Sequence, residues 1–116
     1  MSKAGKIYKI VPKDLWDEQT RDGWFRGASI DLKDGFIHFS TAEQVRETAS
    51  KHFAEQDSLL IITIDETVLG SDLKYEVSRG GALFPHLYAD LPMNAVLSVQ
   101  DLPLDASGNH IFPETI

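Results

Sequence analysis

Apolar and polar positions change their period several times along the chain, and each change marks an element. Ile7-Tyr8-Lys9-Ile10-Val11 is an apolar run broken by one lysine. It predicts a first strand that stops at Pro12, a residue with no N–H to offer a ladder. Asp14 caps a predicted helix from Leu15 to about Arg21, closed by Asp22-Gly23. Trp24 to Gly35 shows neither period and reads as a surface connector, with Trp24 and Phe25 plugging the core beside that helix. Gly35-Phe36-Ile37-His38-Phe39-Ser40-Thr41 alternates with a period of two, so His38 and Ser40 share one face and Ile37 and Phe39 the other. Thr41 or Ser40, with Gln44 or Glu43 three residues on, forms a capping-box pattern for a helix from Thr41 to about Ala54. Ala42, Val45, Ala49 and Phe53 make its core stripe.

Leu59 to Ile64 is a nearly continuous apolar run, as in a strand buried on both faces at the centre of a sheet. A capped helical turn over 65–70 leads to a strand, Leu73 to Val77, with Lys74 and Glu76 on one face and Leu73, Tyr75 and Val77 on the other. Ser78 to Ala82 is a flexible loop. In Leu83-Phe84-Pro85-His86-Leu87-Tyr88, His86 and Tyr88 share a face, and Pro85 argues for an edge or irregular position. Ala95 to Val99 is the last strand. The tail from Asp101 on is rich in turn formers, is irregular over 103–116 and wraps the surface.

Short strands with two helices in the N-terminal half define an α+β class with a mainly antiparallel sheet, and one domain over 1–116. Gly80-Gly81 belongs to no dinucleotide or phosphate-loop motif, which disfavours a doubly wound fold. The net charge of -7, from 18 acidic and 11 basic residues, argues against nucleic acid as a partner but leaves room for a small nucleotide. Cysteine is absent, which removes thiolate chemistry and fits a reducing, cytoplasmic setting. The lysine-bearing N-terminus does not read as a signal peptide, and no apolar run approaches the ~20 residues of a membrane helix.

Three polar clusters interrupt this pattern: His38/Ser40/Thr41, Glu76 with Arg79, and His86 with Tyr88. If the strands bearing His38 and His86 are neighbours, both face one cleft with Glu76 and Arg79 at its rim. Ser40 lacks a nucleophile elbow, and no ligand spacing marks a metal site, so no metal is expected. Histidine, tyrosine, glutamate and arginine around a cleft suit acid–base or electrostatic work.

Gly35 to Thr41, the Tyr75-Glu76 pair and Gly80-Gly81-Ala82-Leu83-Phe84-Pro85-His86-Leu87-Tyr88 together resemble the motifs of a small bacterial family known only as domain of unknown function 952, from Ile7 to about Leu102. The resemblance implies a fold similar to that of the ADP-ribosyltransferases, two small antiparallel sheets meeting at a cleft. The strand Phe36 to Ser40 also resembles a histidine-bearing strand of the RNA 2'-phosphotransferases in that superfamily. Where ADP-ribosyltransferases usually offer a histidine or arginine to the NAD ribose, the first strand here offers Tyr8 and Lys9.

The resemblance implies a small-molecule ligand of nucleotide type, NAD or an ADP-ribose derivative, with group transfer as the enzymatic form of the reading. His38, Glu76 and His86 would be the catalytic set, Glu76 stabilising positive charge at the ribose. His38 and Ser40, beside Thr41, would hold ribose or phosphate, Arg79 or Arg26 would contact phosphate, and Tyr88 and Trp24 would stack. Two other readings stay open: a non-catalytic module binding a small ligand or a protein, and a structural role in which His38, Ser40, His86 and Tyr88 hydrogen-bond one another.

Overall fold

The structure, a computed structural model, describes residues 5–116, with the Arg79 side chain outside the description. Residues 1–4 of the N-terminal segment lie outside the described residues. Strand β1 (Lys6–Pro12), helix α1 (Lys13–Gln19), β2 (Trp24–Phe25), α2 (Ser29–Asp34), β3 (Ile37–His38) and α3 (Val45–His52) fill the first half. Strands β4 (Leu59–Asp65), β5 (Leu73–Val77), β6 (Leu83–Leu87), β7 (Leu91–Pro92) and β8 (Val96–Asp101) follow, joined by short 3-10 turns.

The run Leu59 to Ile64 lies at the centre of an antiparallel sheet ordered β1-β4-β8, as its unbroken apolarity requires. The pleat sends alternate residues to opposite faces. Leu60, Ile62 and Ile64, with Ile7 and Val11, pack against Trp16, Phe25, Ile37, Phe39 and Leu87. Leu59 and Ile61, with Tyr8 and Ile10, pack against Val45, Ala49 and Leu102. One sheet thus carries two cores, one under the second sheet and α1, the other under α3 and the C-terminal segment. Among the described residues no helix is long and apolar enough to cross a membrane.

The second sheet is ordered β3-β6-β5, so β6 is central and the edge position expected from Pro85 is not observed. The reason is local. His38 lies opposite His86, so the next pair is Phe39 with Pro85: the Phe39 N–H donates to the Pro85 carbonyl at 3.0 Å, and Pro85 has no hydrogen to return. The β3 ladder therefore ends after two residues, and the chain crosses to the first sheet, where Ser40 and Tyr8 exchange two backbone hydrogen bonds of 2.9 and 2.8 Å. Pro85 thus coincides with the point where the two sheets are joined.

The expected surface connector, Trp24 to Gly35, is structured. Trp24 and Phe25 pair with Pro92 and Leu91, which buries Phe25 and leaves Trp24 exposed, so only Phe25 plugs the core. The next residues form α2, giving three α-helices among the described residues rather than two. Asp31 accepts from the Ala28 N–H at the helix start, and Gly35, at φ 86°, closes it with an N–H to the Asp31 carbonyl. Of the other capping pattern, the Gln44 side chain accepts from the Thr41 N–H, and α3 proper starts at Val45. In the tail Asp105 Oδ1 accepts from the N–H groups of Ser107 and Asn109, Leu104 bridges to His110, and Phe112 and Ile116 cover the second core.

Candidate functional site

The register of the second sheet sets Lys74, His86 and His38 in one row across β5, β6 and β3, with Glu76 and Phe84 in the next. These residues share a face by the same alternation that sends Ile37, Leu87 and Leu73 into the core. The His38 and His86 rings are 5.4 Å apart and edge-on. Phe36, two residues before His38, stacks on His86 at 4.2 Å and also meets His38 at 4.6 Å and Tyr88 at 5.1 Å.

Each histidine is oriented by a carboxylate. Asp31 is almost fully buried and accepts hydrogen bonds from His38 Nδ1 (2.7 Å), the His38 N–H (3.1 Å), the Ala28 N–H (2.7 Å) and the Lys9 ammonium (2.9 Å). Burial pushes its carboxyl up, but the hydrogen bond from His38, the Lys9 charge and the remaining donors outweigh it and hold the group at about 2 against an ordinary 3.8. Ionised, Asp31 accepts only, so His38 Nδ1 carries the hydrogen. The other nitrogen, Nε2, meets Asp34 Oδ2 at 3.0 Å. Burial draws the Lys9 ammonium below its usual value, and the Asp31 charge opposes that pull.

Glu76 does for His86 what Asp31 does for His38, from a half-buried position. Its Oε1 accepts from the Tyr88 hydroxyl at 2.7 Å and from His86 Nδ1 at 2.9 Å, and these bonds, Tyr88's first, lower its carboxyl. The same carboxylate raises the Tyr88 hydroxyl. His86 is buried and lines a cavity.

That cavity, about 610 Å³, opens where the polar face of the second sheet meets β1 and α3. Ile10, Leu15, Ile30, Phe39, Phe53 and Phe84 make a mostly apolar wall, and Lys9, His38, Ser40, Thr48, His52, Ser78 and His86 supply its polar groups. Of the residues expected at the site, His38, Ser40 and His86 line it together. Glu76 and Tyr88 stand behind His86. Trp24, Arg26 and Thr41 are outside the lining: Trp24 is exposed beside Pro92, Arg26 pairs with Asp22 at 2.8 Å and lies 3.8 Å from Asp90, and Thr41 belongs to the turn before α3. The Arg79 side chain lies outside the description. Ser40 Oγ bonds Thr48 Oγ1 at 2.8 Å and His38 bonds Asp31 and Asp34, so the four polar side chains do not bond one another as the structural reading supposed. Among the described residues no three histidine or carboxylate groups are placed to hold a metal.

Sequence reasoning named Lys9 only as what the first strand offers, and passed over Asp31, Asp34 and Phe36 as site residues. The one available signal was Lys9 itself, a lone cation inside an apolar strand that needs a buried counter-charge.

An α+β chain of paired antiparallel sheets, with this histidine pair at their junction, matches one family over residues 10–99: the chain belongs to the family described as protein of unknown function, DUF952. It is similar to protein CC0527 from Caulobacter crescentus, whose X-ray crystal structure superposes with a TM-score of 0.87 at 47% sequence identity, covering 91% of this chain and 93% of that one. The solution NMR structure of CC0527 gives a TM-score of 0.81 at 48% identity, covering 90% of each chain. No curated protein matches the chain.

Proposed function

We propose that the cavity binds a nucleotide-type small molecule, of the NAD or ADP-ribose kind, with His38 and His86 contacting its polar part. The observation that carries this reading is the opposed histidine pair, each ring fixed through Nδ1 by a carboxylate, at the wall of a mostly apolar cavity. Its volume falls within the ~300–1,000 Å³ usual for small-molecule sites, and apolar walls with a few convergent polar groups are what a flat ring joined to a ribose requires. Two antiparallel sheets joined at a cleft accord with an ADP-ribosyltransferase-like fold, and the cysteine-free sequence accords with the cytoplasm.

Binding is the reading favoured over transfer. Glu76, the residue that would stabilise charge at a ribose, is committed to His86 and Tyr88 and does not line the cavity. Ser40 is likewise tied to Thr48. A thermal-shift screen over NAD, ADP-ribose, nucleosides and sugars tests the proposal, since a ligand at 100 times its Kd adds ~2.7 kcal/mol. Stabilisation by a nucleotide-type compound, lost in His86→Ala, is the expected result; no shift with any nucleotide at millimolar concentration would sink it.

A further inference from the structure

Lys9, Asp31, His38 and Asp34 form one chain, an ion pair followed by two hydrogen-bonded contacts of the His38 ring, running from the buried cavity wall to the surface. Three of its members are fixed. Lys9 and Asp31 are buried, and Asp31 holds His38 through both its ring and its backbone N–H. Asp34 is the exception. Its carboxylate is part-exposed, sits on the last residue of α2, and does not line the cavity.

His38 has a carboxylate at each ring nitrogen, Asp31 at 2.7 Å and Asp34 at 3.0 Å. A neutral imidazole carries one hydrogen and donates to one of them, whereas the imidazolium donates to both. With both carboxylates ionised, the four groups then balance, Lys9 and His38 against Asp31 and Asp34. Removing Asp34 leaves Nε2 facing an open position, and in the imidazolium form its N–H has lost its acceptor. Whatever takes its place regains the lost interaction only if it brings an oxygen acceptor with negative charge.

Resting on the binding reading above, we propose that the ligand brings an oxyanion, a phosphate or carboxylate group, and that this group binds His38 Nε2 in the position Asp34 now occupies. Asp34 is thus an internal stand-in for the ligand's anion and sets the threshold for its binding. Asp31, which holds the His38 ring through Nδ1 and is paired with Lys9, is the positioning residue that presents Nε2 outward. The rest of the ligand enters the apolar pocket beyond.

Inorganic phosphate, acetate and adenosine are titrated into wild type, Asp34→Asn, Asp34→Ala and Asp34→Ala/His38→Gln, and the ring 15N shifts of His38 are followed. Asp34 is part-exposed, and backbone spectra check that both single variants keep the fold. The expected result is an affinity for phosphate or acetate about tenfold or more above wild type in both single variants, lost in the double variant. Which of the two anions gains more identifies the ligand group. No gain with either anion, or a gain that survives His38→Gln, overturns the inference. Adenosine is uncharged and reports on the cavity alone. Adenosine binding without any anion gain overturns this inference and leaves the binding reading standing. Anion gain without adenosine binding sustains the inference and counts against the binding reading.

Discussion

His38 and His86 stand opposite one another on adjacent antiparallel strands, ring centroids 5.4 Å apart, and each donates its Nδ1 hydrogen to a carboxylate from a different element. Asp31 comes from a short helix and is buried; Glu76 comes from the neighbouring strand and is half-buried. The two rings are therefore oriented alike from environments of very different burial.

Asp31→Asn leaves the Lys9 ammonium buried without a counter-charge. Breaking such a pair from one side costs about 3–5 kcal/mol, chiefly through the orphaned charge. Chemical denaturation of Asp31→Asn should show a loss of that order, and adding Lys9→Met should recover at least half of it. A double variant no more stable than the single one would mean that the ion pair does not set the cost.

Acid provides an independent test of the same carboxylate. Its folded value, about 2, lies below the ordinary 3.8, so its ionised form stabilises the fold at every pH above about 4, and that contribution is lost as pH falls through 2. The difference corresponds to about 2 kcal/mol at neutral pH. Stability of the wild type should fall between pH 4 and 2 more steeply than that of Asp31→Asn, as read from denaturation midpoints. Equal slopes would remove Asp31 from the account.

The His86 side is softer. Tyr88→Phe deletes the hydrogen bond that most lowers the Glu76 carboxyl, which should return toward its ordinary 4.5, as followed by the NMR titration of its side-chain carbon. Because the Glu76 carboxylate and the Tyr88 hydroxyl are accessible to solvent, folding stability should change little. An unmoved Glu76 titration would show that the hydroxyl is not its partner in solution.

Gly27 is needed where α2 begins. Its φ is +122°, and a Cβ there would lie 2.7 Å from Asp31 Cβ. Gly27→Ala should destabilise by about 1–3 kcal/mol through backbone strain alone, with further loss as Asp31 is pushed from His38. A displaced His38 ring resonance in the folded variant checks the second effect; an unshifted one means that the clash is relieved elsewhere.

The strand residues of this site were legible because alternation is a strong local signal. His38 and His86 could be placed on the polar faces of their strands, and Glu76 opposite Tyr75, from period two alone. What made them neighbours was register, which no local pattern carries. Pro85 misled because its missing donor was read as the mark of an edge, whereas in the fold it ends a ladder on a central strand. Asp31 and Asp34 stayed hidden because α2 runs only from Ser29 to Asp34, too short for a helical period to emerge, and because the partner of Asp31 lies on β1. Arg26 and Trp24 were drawn toward the site by residue type, and the fold spent them elsewhere, on Asp22 and on the pairing with β7.

The central claim is that one ligand engages both histidines. Imidazole 15N–1H correlation spectra recorded while NAD or ADP-ribose is added test it most directly, with His110, hydrogen-bonded to the Gln56 carbonyl, as the internal control. The account predicts that the ring signals of His38 and His86 move together and saturably while His110 stays still. Unchanged His38 and His86 signals at millimolar ligand, or shifts that appear only at His110, would contradict it.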